Sequence, residues 1–249
     1  MTSTMTVDAD GNKEWRNEKG APHREDGPAI EYASGTKEWW VDGQRHRDDG
    51  PAHEGADGTK EWWVNNQRHR DDGPAVEGAD GRHKQWWVNG KRHRDDGPAI
   101  EFANGDKQWW KNGQHHRDDG PALEYVNGNK IWWKNGKRHR DDGPAVEEAD
   151  GTRKWWKNGE LHRDDGPAIE HADGYKAWLV NGQRHRDDGP AIEFANGNKQ
   201  WWINGEQKSE DEFEALRRQR LLENIADVMA QGTSTKTPKL PRMKIEHRG

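Results

Sequence analysis

The stretch PAIEFANGDKQWWKNGQHHRDDGP, residues 98–121, contains one complete copy of the pattern that decides the fold. Two chain-reversing dipeptides, Asn104-Gly105 and Asn112-Gly113, flank a segment that ends on Trp109-Trp110. Asn-Gly tolerates positive φ and suits type I′ turns, whose twist matches antiparallel strands. The spacing predicts a strand over 99–103, a second over 106–111 and a short return over 114–117. Asp118-Asp119-Gly120-Pro121 then reads as a turn into the next copy.

Outward from this stretch the pattern repeats. His-Arg-Asp-Asp-Gly-Pro-Ala begins at His46, His69, His93, His116, His139, His162 and His185, with a Glu-for-Asp version at His23. The step is 23 residues except between His69 and His93, where it is 24 because of an addition near Arg82-His83. Trp pairs keep the same beat at Trp39-Trp40, Trp62-Trp63, Trp86-Trp87, Trp109-Trp110, Trp132-Trp133, Trp155-Trp156 and Trp201-Trp202, and are broken as Trp15-Arg16 and Trp178-Leu179. A fixed period of this length marks a repeat architecture, here about nine units over 1–206 with the first and last incomplete. Three full strands per unit would reverse direction at each copy, whereas two strands and a return keep the units equivalent. At ~4.8 Å between strands the ribbon would be roughly 85 Å long.

A two-residue turn at Ser34-Gly35 would set Ile30 opposite Trp39, Tyr32 opposite Lys37 and Ala29 opposite Trp40. The two Trp of a pair then point to opposite faces. The first shares its face with Ile30 and Tyr32 and is expected to be the core ring. The second is expected to be partly exposed, since its position accepts Arg16 and Leu179.

The unit resembles the MORN repeat, and more closely the MORN-variant repeats of bacterial and viral type. The matching residues are, for example, Trp133-Lys134-Asn135-Gly136-Lys137-Arg138-His139, and the resemblance spans roughly 7–206. The link departs from that family: His-Arg-Asp-Asp-Gly-Pro-Ala stands where typical members have His-Gly-x-Gly. The family pattern also aligns its Trp with the second of each pair, the reverse of the core assignment above. The resemblance implies an all-β, tandem-repeat ribbon of antiparallel hairpins used for assembly or partner binding without catalysis. Some bacterial variants carry an antitoxin-type label.

Composition limits the other readings. Hydrophobic residues make up 29% and charged residues 35%, which by averages suggests disorder. The 16 Trp and the regularly placed Gly argue otherwise, because each indole can bury on the order of 200 Å². There is no Cys, hence neither a disulfide framework nor a thiolate zinc site. No leader pattern and no apolar run of membrane-span length is visible, so the expected location is the cytoplasm. The formal charge of −6 does not suggest nucleic-acid binding.

His-Arg-Asp recurs in eight copies without a nucleotide loop, which argues for a structural role rather than a kinase-like catalytic one. Its Arg is expected to pair with carboxylates of its own or adjacent units. Adjacent Asp residues lack calcium-loop spacing, so no metal and no cofactor is expected. Glu31, Glu54, Glu77, Glu101, Glu124, Glu147, Glu170 and Glu193 recur with a Lys or Arg in the second strand and read as solvated charges. The candidate binding residues are the second-Trp stripe, Trp40, Trp63, Trp87, Trp110, Trp133, Trp156 and Trp202. Exposed aromatic rows can anchor a protein or stack on sugar rings.

Beyond the repeats, Ser209-Glu210-Asp211-Glu212 forms a capping-box signature for a helix over 209–231. Phe213, Leu216, Leu221, Leu222, Ile225, Val228 and Met229 give it an apolar stripe, to cap the last unit or to self-associate. Residues 232–249 carry +4, so the whole-chain −6 leaves −10 on the other 231 residues. This basic tail is expected to be unstructured, with 240–245 as a short docking segment. The sequence thus points to a non-enzymatic protein-interaction module, a scaffold or inhibitor with a protein partner. Glycan binding by the Trp stripe, and an antitoxin or phage counter-defence role, are the alternatives.

Overall fold

The computed structural model describes residues 3–231. The expectations for the tail at 232–249 lie outside those residues. The chain is an all-β ribbon of tandem hairpins closed by a helix, Glu210–Gln231. Among the described residues no helix is long and apolar enough to cross a membrane.

Each interior unit holds four short strands rather than two and a return. In the unit quoted above, Ile100–Glu101 pairs with Lys107–Gln108, and Trp110–Lys111 pairs with Gln114–His115. The strand expected over 106–111 therefore breaks at Trp109. At the break the Trp109 backbone N–H donates out of the unit, to the Ala122 carbonyl of the next copy at 2.7 Å. In the last unit no copy follows, and the strand Lys199–Ile203 runs unbroken through both rings.

The first hairpins join across unit boundaries into a continuous antiparallel sheet of 19 strands. The second hairpins form a parallel row, tied to one another by single bonds such as Gly113 N–H to the Arg92 carbonyl at 2.9 Å.

The expected register is corrected by one residue. Ile30 lies opposite Glu38, not Trp39, and Glu31 lies opposite Lys37. Tyr32 N–H bonds the Thr36 carbonyl while Gly35 N–H bonds the Tyr32 carbonyl, enclosing a three-residue loop with only Gly35 at positive φ. That is a type I turn closed by a glycine bulge. The two-residue type I′ geometry occurs only at the second dipeptide, where Asn112 and Gly113 both have positive φ, of 52° and 82°. The extra residue of the fourth unit lengthens its loop and leaves Glu77 opposite Lys84.

This register aligns the charges. Glu101 faces Lys107, which faces Glu124, which faces Lys130, and the alternation runs on through the sheet. The small core lies along the same strands: Ala99, Ala122 and their equivalents are fully buried, and Ile100, Leu123, Val146 and Ile192 are buried as well. Both Trp of each pair are half-buried, so the pair does not divide into a core ring and an exposed one.

At the helix start the capping box is formed, with Glu212 N–H donating to Ser209 Oγ at 3.2 Å and Ser209 N–H to Glu212 Oε2 at 2.7 Å. Phe213 is buried against the last unit, whereas Leu221, Leu222, Ile225, Val228 and Met229 are exposed. The cap thus uses the first turns of the apolar stripe only.

Because each unit bonds only its neighbours, removing residues 99–121 should leave a folded, shorter ribbon. Urea unfolding should remain cooperative with an m-value lower by roughly one ninth, in proportion to the surface lost. A chain that loses its β signature on this deletion would show that the units are not modular.

Candidate functional site

Every residue of the recurring link has an assigned task. Arg47 stacks on Trp39 with its guanidinium carbon 4.0 Å from the ring centre. It donates from Nε to Asp49 at 2.8 Å, and from Nη1 to the Pro51 carbonyl at 3.2 Å and Glu54 at 3.1 Å. A Cβ at Gly50 would lie 2.9 Å from the Arg47 guanidinium carbon, so a larger residue there would push the guanidinium from its place. The Ala52 carbonyl accepts the Trp39 N–H at 2.8 Å, and the Ala52 methyl is fully buried. Hydrogen bonding to Arg47 holds the Asp49 carboxyl below its ordinary range.

His46 joins neighbouring units. Its Nδ1 accepts the backbone N–H of Asn65, in the type I′ turn of the next copy, at 3.2 Å, while Nε2 meets Asp48 at 3.1 Å. The same Nδ1 bond recurs from His23 to His185, for example Asn112 N–H to His93 at 3.1 Å. The two Asp of each link are thus held by the His ring and the guanidinium, yet stay largely exposed, 89% for Asp48 and 84% for Asp49.

Between consecutive links lie open clefts of about 510 to 710 Å³. One is walled by Arg117, Asp118, Asp119 and by His139, Arg140, Asp141, Asp142, with Trp132 and Lys134 on its floor. The floor position after the second Trp is Lys111, Lys134 and Lys157 in the middle units and Val41 and Val180 nearer the ends. With a carboxylate pair on each wall and an indole beneath, the clefts suit cationic groups. No one cleft carries a group that the others lack, apart from this Lys/Val exchange.

The stripe of candidate residues takes a different form from an open aromatic row. Trp63 lies between Arg45, at 5.1 Å, and Arg68, at 4.9 Å; Trp87 lies between Arg68, at 5.5 Å, and Arg92, at 4.9 Å. Trp110 lies between Arg92 and His115, Trp133 between His115 and Arg138, and Trp156 is reached by Arg138. Trp40 is met by Arg45, and Trp202 by Arg184. The result is a column of alternating indole and guanidinium planes. It is interrupted at Leu161 and Leu179, which pack together with Trp202.

A second residue type completes the column. Trp40 Nε1 donates to Glu38 at 2.9 Å, and Arg45 donates to the same carboxylate at 2.7 Å. Glu61, Gln85, Gln108 and Gln200 repeat this acceptor two residues before Trp63, Trp87, Trp110 and Trp202. Where Ile131 and Lys154 take that position, Trp133 Nε1 and Trp156 Nε1 are buried without a partner. Sequence reasoning missed these acceptors and the intervening Arg residues. The signal was present: Glu or Gln two places before the second Trp, and Arg or His five places after it.

Two measurements test this geometry. Trp110→Phe should cost about 1 kcal/mol more than Trp133→Phe in urea unfolding, since only the first loses a side-chain hydrogen bond. Equal costs would show that the Gln108 bond contributes nothing. The second concerns His115, whose value is pushed down to about 4 by burial and the nearby Arg92 charge. The neutral ring is favoured on folding, so its contribution is full above the ordinary value of 6.5 and is lost as pH falls toward about 4. His115→Arg should remove that dependence. The stability difference between the two proteins should shift by on the order of 2 kcal/mol across the window, and parallel pH curves would refute it.

Compared with models of known protein families and with curated proteins, the chain matched none, and the reading of its site rests on this geometry.

Proposed function

We propose that the ribbon is a non-enzymatic protein-interaction module that offers its row of inter-link clefts to a protein partner, as a scaffold or inhibitor. The observation that carries this reading is the recurrence of one cleft, with the same walls and an indole on its floor, at successive unit boundaries. Catalysis needs a distinct constellation in which acid, base or nucleophile differ in environment. Here each titratable group of the link is repeated in an equivalent setting. A repeated surface binds through many similar contacts, whose sum depends on how many are engaged at once. The resemblance to MORN-type repeats is in keeping with a partner-binding ribbon in the cytoplasm.

The charged edge supports this function better than the Trp stripe does. A sugar ring or peptide side chain stacking on Trp63 or Trp87 would have to displace a guanidinium plane from each face. The wall carboxylates and cleft floors need no such rearrangement. This favours a protein with clustered Lys or Arg over a glycan.

The reading is tested by quantitative co-purification from the source cells with two triple variants. Asp95→Ser, Asp118→Ser and Asp141→Ser strip carboxylates from the central clefts, while Trp63→Ser, Trp87→Ser and Trp110→Ser strip the column. Partners of a cleft-binding module should be depleted by the Asp variant while its circular dichroism is unchanged. Partners lost only with the folded Trp variant would move the site to the column. A single indispensable His, Arg or Asp would overturn the non-enzymatic reading.

A further inference from the structure

The apolar residues of the terminal helix fall on two faces. At about 100° per residue, Phe213 and Leu216 share the first of them with Arg220. Phe213 is buried, Leu216 is half-buried, and Arg220 pairs with Asp187 in the link that begins at His185, so this face is turned to the ribbon. Leu221, Leu222, Ile225, Val228 and Met229 form the second face, roughly 140° further around the helix. They are 43 to 70% exposed, and every residue from 217 to 229 is exposed. The last unit cannot cover them without giving up its hold on Phe213.

Such a face calls for a partner. Single exposed apolar residues are ordinary, whereas five on one face make a contiguous patch of the kind that marks an interaction surface. The 11 helical residues from 221 to 231 are also too few to be stable alone in water, where a helix of that length depends on packing. Two features identify the occupant. The spacing 221, 222, 225, 228, 229 is symmetric about Ile225, so a helix running the other way presents the same pattern. The last turn of the helix has no basic residue to complement its free carbonyls, while Arg218 lies on the exposed face just before the apolar patch.

We infer that two copies of the chain associate by antiparallel pairing of their terminal helices about a two-fold axis at Ile225. Ile225 meets Ile225 of the other copy, Leu221 meets Met229, and Leu222 meets Val228. This alignment carries Arg218 of each copy to the end of the other helix, where the partial negative charge of the last carbonyls favours a cation. A parallel pair would instead set Arg218 against Arg218 within the same face. The same patch serves both copies, so the assembly closes at two. The contact uses no residue of the inter-link clefts and stands whether or not those clefts hold a protein.

Sedimentation equilibrium of the full chain from about 1 to about 300 μM should show a monomer–dimer equilibrium. Ile225→Asp, at an exposed position of the single chain, should weaken the dimer at least about tenfold, because two carboxylates then face each other at its centre. The β signature in circular dichroism should be unchanged. A chain that is monomeric throughout would overturn the proposal, whether its own residues beyond 231 or a different protein cover the face. So would a dimer that Ile225→Asp leaves unaltered. Disulfide trapping reads the orientation, since the chain has no Cys. Ile225→Cys alone should oxidise to a covalent dimer. Leu221→Cys and Met229→Cys should do so only when mixed, because like positions lie about 12 Å apart along the paired helices. Trapping of Leu221→Cys with itself as readily as with Met229→Cys would overturn the antiparallel arrangement.

Discussion

The guanidinium of each link is the constraint on which the ribbon depends. A single Arg covers a Trp face, bonds a carboxylate of its own loop, bonds the carbonyl of the Pro that follows, and reaches the Glu of the next strand. Loop, strand and neighbouring unit are thereby fixed by one side chain, and glycine in the link is what admits it. The planar fork of arginine suits several directed bonds plus ring stacking, which a lysine could not reproduce.

A chain with so few aliphatic residues would not be expected to fold on area burial alone. The buried aliphatics of the repeats are small and sparse, mainly Ala with Val76, Ile100, Leu123, Val146, Leu179, Ile192 and Ile203. Flat groups stacked in two rows supply the rest, one ring per unit under the link guanidinium and one in the column. Cation–π contacts of this kind contribute roughly 0.5–2 kcal/mol each. Their number, not their individual strength, is what makes the stack structural. The unpaired indole N–H groups at Trp133 and Trp156 mark where the pattern is incomplete.

Much of this was legible in the sequence because repetition makes position informative. The period, the hairpin dipeptides and the helix cap at Ser209 all follow from local rules. The register did not, because Ser34-Gly35 can close either a two-residue or a three-residue loop, and the choice shifts every partner by one. Nor did the break at the first Trp, where the backbone N–H bonds the following copy. The column was hidden for a related reason. One copy shows only a ring and the guanidinium five places on, and the column forms when that guanidinium also meets the ring of the next unit.

The paired leucines carry a consequence for how such an array can be rearranged. Leu161 stands in a guanidinium position of one unit and Leu179 in the ring position of the next, and the two pack together. Each is suited to the other, since Leu161 offers no guanidinium to the next unit and Leu179 presents no indole face to receive one. Recombination between near-identical units is therefore not neutral to their order. Most copies can be transposed, lost or gained, but this junction travels as a linked pair, giving the array a fixed landmark and a direction in which its units must be read.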